Sequence, residues 1–124
     1  MSIADDSKIL KSLLNYEFFD SNKNRLKATL FDEEVADVYQ VINEAHNKYE
    51  HDLSEEEVFQ LWKKKYPVAT RAEIDSMRDL INHIQQVQPI AFDIANDVIE
   101  DLWKREIGRK IAHIGLEITE GQHG

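Results

Sequence analysis

Apolar residues along this chain recur three and four positions apart, with polar residues between them. That spacing belongs to helices that bury one stripe. Ile9, Leu10, Leu13 and Leu14 predict a first helix over residues 6–15, capped by Asp5 or Asp6. Tyr16 to Phe19 adds a short helical turn before the polar break at 21–24. Leu26, Leu30 and Phe31 form a further short, weakly helical piece. The next long helix covers residues 33–50. Asp32 caps it, and Glu33 and Glu34 suit the positive end of its dipole. Val35, Val38, Tyr39, Ile42, Ala45, His46 and Tyr49 line its inner side. Residues 51–53 are a connector.

Two capping boxes follow, in which a hydroxyl and a carboxylate satisfy each other's backbone N–H groups. Ser54 with Glu57 opens a helix to about Tyr66, burying Val58, Leu61, Trp62 and the stem of Lys65. Pro67 ends it. Thr70 with Glu73 opens another to about Val87, with Ile74, Met77, Ile81, Ile84 and Val87 or Gln88 inward. Pro89 separates it from residues 90–119, which hold no proline and no glycine before Gly108. A helix of about thirty residues is ~45 Å long. A compact chain of this length is only roughly 35 Å across. The last helix is therefore expected to outrun its own domain. Gly121 is its expected stop, and 120–124 reads as the start of a linker. The domain reading is a helical head over 1–89 and a protruding helix over 90–119. The expected fold is all-α, with about four main helices in the head plus short turns.

On a helical wheel the long segment changes sides. Ala91, Ile94, Ala95, Val98 and Leu102 share one face, opposite Asp93, Asn96, Asp97 and Glu100. Trp103, Ile107, Ile111, Ile114 and Ile118 form a second stripe about half a turn away. Arg105, Arg109 and His113 lie opposite it, with Leu116 as the exception. The first stripe can pack on the head; the second needs another partner. Gly108, Ala112, Gly115 and Thr119 lie beside that second stripe. A glycine inside a helix costs about 1 kcal/mol relative to alanine, and small side chains admit a close helix. The candidate interface is accordingly Trp103, Ile107, Gly108, Ile111, Ala112, Ile114, Gly115 and Ile118.

The 124 residues suffice for one core. With 42% apolar and 31% charged residues the chain reads as globular. Only four glycines and two prolines agree with a helical fold. The net charge of −9 would repel nucleic acid, whose binding depends on phosphate neutralisation. The basic runs Lys63–Lys65 and Lys104, Arg105, Arg109, Lys110 read as solvated helix faces. Glu100 with Lys104, Asp101 with Arg105 and Glu106 with Lys110 are expected as pairs one turn apart. The chain has no cysteine, so neither a disulfide framework nor thiolate chemistry is available. Its polar, acidic start is unlike a signal peptide, and no apolar run approaches ~18 residues. A cytoplasmic location is the expectation.

Catalytic signals are sparse. No glycine-rich phosphate loop precedes a helix, so no ATP site of that kind is expected. His46 could be drawn with His51 or Asp52 into a metal site, but HxxxH and HExxH spacings are absent. His46, on an apolar helix face, reads as a packed histidine. No serine has a histidine partner at a recognisable spacing. No catalytic, cofactor or metal residue is assigned.

Taken in order, these segments resemble the N-terminal domain of DnaB-type replicative DNA helicases, phage versions in particular. Residues 12–15 with Phe18 and Phe19 resemble the family's opening helix. Leu26 with residues 30–32 resembles its link into the next helix. Val38, Tyr39, Ile42 and His46 resemble that helix's stripe, and residues 52–54 the following connector. Ala95 and Asn96, then residues 103–112 and 116–118, resemble the helix that leads into a hairpin. The resemblance implies a helical head followed by a helical hairpin. In the family, hairpins pair between subunits and form a collar on a hexameric ring, where primase or a loader docks. ATP and magnesium would belong to a separate motor domain farther along, and DNA would be held by the ring as a whole. The hairpin's second helix should begin where this chain ends. The isoleucine stripe is then expected to pair with the same stripe of another copy, or with the head of one. Other readings are a free-standing helical adaptor or regulator and, against a native Met1, the helicase-binding domain of a primase. A small helical enzyme fits least.

Overall fold

A computed structural model describes the backbone over residues 3–123 and the side chains over residues 6–109. Its α-helices are α1 (Ile3–Leu13), α2 (Tyr16–Asn22), α3 (Glu33–Tyr49), α4 (Glu55–Lys65), α5 (Arg71–Gln86) and α6 (Phe92–His123). Two 3-10 turns, Lys23–Arg25 and Ala28–Leu30, join α2 to α3. Among the described residues there is no strand, and no helix is long and apolar enough to cross a membrane.

Helix α1 lies in the middle. It packs against α2, α3, α5 and α6, while α4 leans on α3 and α5. Its apolar stripe is Ile9, Leu10 and Leu13, all essentially inaccessible. Asp6, Ser7 and Ser12 are buried as well, so polar positions on its other sides are also covered. Small side chains there admit close neighbours. The Ser12 hydroxyl donates back to the Lys8 carbonyl at 3.2 Å, satisfying itself inside the helix.

A helix buried this way must satisfy its terminal backbone groups from outside. The Leu14 carbonyl accepts from the Leu53 N–H at 2.9 Å, and the Leu13 carbonyl meets His46 Nε2 at 2.6 Å. Near the other end, Asp6 Oδ2 accepts the Asp32 N–H at 2.9 Å. Asp32 precedes α3 and His46 lies in its last turn, so α1 and α3 run in the same direction. The segment from α2 through both 3-10 turns carries the chain back between them. Lys11 adds a third tie. Its ammonium donates to the carbonyls of Gln85 and Val87, at 2.8 and 3.0 Å, where α5 ends.

Both capping boxes form as the sequence predicts, at Ser54 with Glu57 and at Thr70 with Glu73. Other expectations need correction. Helix α1 begins at Ile3 rather than Asp6, and Asp6 sits inside it as a buried anchor for Asp32 rather than as its cap. The turn after Tyr16 is a full helix to Asn22, capped by the Asn15 side chain on the Phe18 N–H at 2.9 Å. Tyr49 is 40% exposed instead of inward, because α3 ends beside it with Glu50 in the left-handed conformation (φ 54). Phe59 and Val41, which the stripes passed over, are buried. Helix α6 begins at Phe92 and runs through Gly121 to His123; a lone glycine weakens a helix without being able to end it.

The largest correction concerns which way α6 faces. Among the described residues its buried side chains are Ala95, Ile99 and Leu102, whereas Ile94 is 55% exposed and Ala91 is exposed. Ile99 lies about 140° round the axis from Ile94. The phase is set by a polar contact. Asn22, 1% exposed, donates from Nδ2 to Asn96 Oδ1 at 2.7 Å and to the Phe18 carbonyl at 2.9 Å. Phe92 stacks on Phe18 with ring centroids 4.7 Å apart. Asn96, expected on the solvent side, therefore turns inward and carries Ile99 with it.

Ile99→Ala should cost about 2–4 kcal/mol of stability, as for other fully buried isoleucines. Ile94→Ala should stay within about 0.5 kcal/mol. Paired urea titrations measure both, and equal losses would show that α6 faces the head through its Ile94 side.

Candidate functional site

The candidate interface lies on the later part of α6. Of its eight residues, Trp103, Ile107 and Gly108 have described side-chain surroundings. Ile111, Ala112, Ile114, Gly115 and Ile118 lie outside the residues whose side chains are described. Trp103 and Ile107 are half-buried, and Gly108 is exposed. A Cβ built on Gly108 would meet nothing within 4 Å. The head therefore does not require that glycine.

Packing of α6 on the head reaches farther than Trp103. Glu106, with its side chain 15% exposed, lines a cavity of about 70 Å³ with Leu30, Leu102 and Arg109. This is where α6 crosses the second 3-10 turn. Trp103 and Ile107 sit about 80–120° round the axis from Ala95, so they flank the buried face rather than oppose it. The half-turn separation expected from sequence shrinks accordingly, because Ile99 rather than Ile94 is the inward residue. The buried face and the second stripe meet along Trp103.

Charge along α6 partly follows expectation. Lys104 pairs with Glu100 at 3.3 Å, and Arg109 reaches Glu106 at 3.9 Å. The first pair and the Arg109 guanidinium sit largely in solvent, and the second pair is long, so both steady the helix only weakly.

The histidine cluster considered for metal binding is occupied otherwise. His46, 1% exposed, spends Nε2 on Leu13 and packs between the rings of Phe19 and Tyr16, with centroids 4.6 and 5.5 Å away. His51 Nδ1 contacts the Asp52 carbonyl at 2.7 Å, and Asp52 Oδ1 accepts the Tyr16 N–H at 2.8 Å. All three groups turn to the backbone around the end of α1 and do not converge. Among the described residues, no group of three His, Cys, Asp or Glu side chains could hold a metal ion. Burial pushes the His46 imidazole below its ordinary value of 6.5, and its contact with the Leu13 carbonyl opposes that only in part.

Sequence reasoning missed Asn22, Asn96 and Ile99, which fix how α6 is presented. A buried asparagine inside a polar run such as residues 21–24 carries no periodic signal. Compared with protein-family models, curated proteins and solved structures, the chain matches none.

Two outcomes follow. Because His46 is held neutral, the unfolded chain takes up its proton more readily. Its contribution is full above pH 6.5 and is lost as pH falls from 6.5 toward the lowered value. The melting temperature should fall more steeply over that range for the wild type than for His46→Gln; parallel curves would remove His46 from the acid response. Gly108→Ala should raise monomer stability by about 0.5–1 kcal/mol, since only helix propensity is at stake in the head. If a helix from a partner approaches closely there, the same substitution weakens association, read by light scattering.

Proposed function

We propose that this chain is a non-catalytic assembly and docking domain, namely the N-terminal collar domain of a DnaB-type replicative helicase. It acts in DNA replication by joining subunits through α6 and by offering a docking surface to primase or a loader. The observation that carries this reading is the mismatch between α6 and the body it packs on. The helix runs 32 residues, about 48 Å, and its described side chains line a cavity with the head as far as Arg109, barely past its midpoint. The sequence beyond continues isoleucine at 107, 111, 114 and 118, with small residues at 108, 112, 115 and 119. Long helices with an unused apolar stripe and small neighbours are suited to packing against another helix.

The ordered segment resemblance from Ile9 to Thr119 supports the replication setting. On this reading the chemistry of ATP and magnesium belongs to a motor domain on the same polypeptide, and the acidic collar leaves DNA to the ring. A free-standing helical adaptor would use the same stripe. A GxxxxGK[ST] motif in frame beyond Gly124 in the parent transcript separates the helicase from the adaptor.

Light scattering at about 100–300 µM should give a mass above that of one chain, within the range of modest interfaces. Ile111→Asp combined with Ile114→Asp should lower that mass with unchanged helicity by circular dichroism. A wild-type chain that stays monomeric, or a double variant that loses helicity, would end the proposal.

A further inference from the structure

Helix α4 carries its charge in halves. Glu55, Glu56 and Glu57 fill its first turn, and Lys63, Lys64 and Lys65 its last. The helix dipole favours that order along the axis. It does not explain the arrangement around the axis. Glu56, Glu57, Gln60 and Leu61 line a cavity of about 300 Å³, and Leu61, Lys64 and Lys65 line one of about 310 Å³. Tyr49, at the end of α3, lines both together with Leu61. The two cavities form one shallow groove between α3 and α4. One end carries Glu56 and Glu57 beside His51, the middle is an apolar saddle of Tyr49 and Leu61, and the other end carries Lys48, Lys64 and Lys65 around Glu44.

The α4 side of this groove is a palindrome in charge. About the midpoint between Gln60 and Leu61, Glu56 mirrors Lys65 and Glu57 mirrors Lys64. A two-fold axis through that midpoint lays a second α4 antiparallel on the first. Each glutamate then meets a lysine of the other chain, and the two Tyr49–Leu61 saddles meet at the centre. We propose that this groove is a self-complementary docking surface for a second copy of the same chain, as a two-fold interface requires.

The charges favour that occupant over others. A nucleic acid would meet Glu44, Glu56 and Glu57 along the groove of a chain carrying −9. An acidic peptide would satisfy the lysines and be repelled at the other end. A second copy satisfies both ends at once. The charged groups are also placed for it. Lys48 and Lys65 lie over the rings of Tyr49 and Tyr66, 5.3 and 5.7 Å from their centroids, which holds the ammonium groups near the rim. Lys64 forms no ion pair among the described residues. Glu56 and Lys65 already bind Arg78 at 2.8 Å and Glu44 at 2.7 Å. A carboxylate and an ammonium each have capacity for more.

This surface is independent of α6, so its test runs in the full chain carrying Ile111→Asp and Ile114→Asp. A small, partly charged interface should associate with a Kd of roughly 10 µM to 1 mM at low salt. Sedimentation equilibrium up to about 1 mM should show that dimer, weakening as salt rises. Adding Lys64→Glu, or separately Glu57→Lys, should weaken it by about tenfold or more, because like charges then face each other twice. Mixing those two variants should restore a heterodimer, since every facing pair is again opposite in sign. Glu56→Lys with Lys65→Glu repeats the swap and leaves the capping box at Ser54 intact. Circular dichroism confirms that each variant is folded. A chain that is monomeric at 1 mM in this background overturns the groove and leaves the α6 reading standing if the wild type still associates. A dimer indifferent to Lys64→Glu, or a mixture that does not recombine, overturns it too.

Discussion

The arrangement of this protein depends on burying α1 on nearly every side. A helix with only one apolar stripe can be covered all round if its remaining positions are small or internally satisfied. Ser7 and Ser12 meet that condition, and Asp6 finds its partner outside the helix in the Asp32 N–H. The cost falls on its ends, whose carbonyls must find donors without water. His46 and Leu53 supply them from α3 and from the connector that follows it. Because one of those partners is an imidazole whose proton is disfavoured by burial, the centre of the fold is tied to pH as well as to packing.

The placement of α6 follows from the same economy of polar groups. Asn22 is buried where α2 gives way to the first 3-10 turn, and its side chain needs partners. Asn96 is one of them, so α6 is held in the rotation that brings Asn96 inward. Ile99 becomes a core residue and Ile94 a surface one. The same rotation brings Trp103 and Ile107 to the edge of the buried face. The proposed interface is thus continuous with the head, and a partner lying on α6 would also lie close to the second 3-10 turn.

The molecule offers no concentrated chemistry among its described residues. Most of the described titratable groups lie on the surface, and the buried Asp6 and His46 are committed to backbone contacts. What the chain carries is pattern: a series of isoleucines in the sequence of α6 and a charge palindrome along α4. Two separate self-complementary surfaces on one chain would allow assemblies larger than a pair, since each copy could hold two neighbours.

The sequence by itself determined the elements. Apolar spacing marked the helices, and Ser54 with Glu57 and Thr70 with Glu73 fixed two starting points, because these signals depend on residues within one turn of each other. The long final helix was legible for the same reason, as was the packed character of His46. Tertiary structure alone decided which side of α6 faces home, that Asp6 holds α3, and that Lys11 closes α5. Those contacts join residues 26 to 76 positions apart. No local period records such a contact, and a buried asparagine such as Asn22 can outweigh an apolar count when its unpaired amide in the core would cost more than an exposed isoleucine.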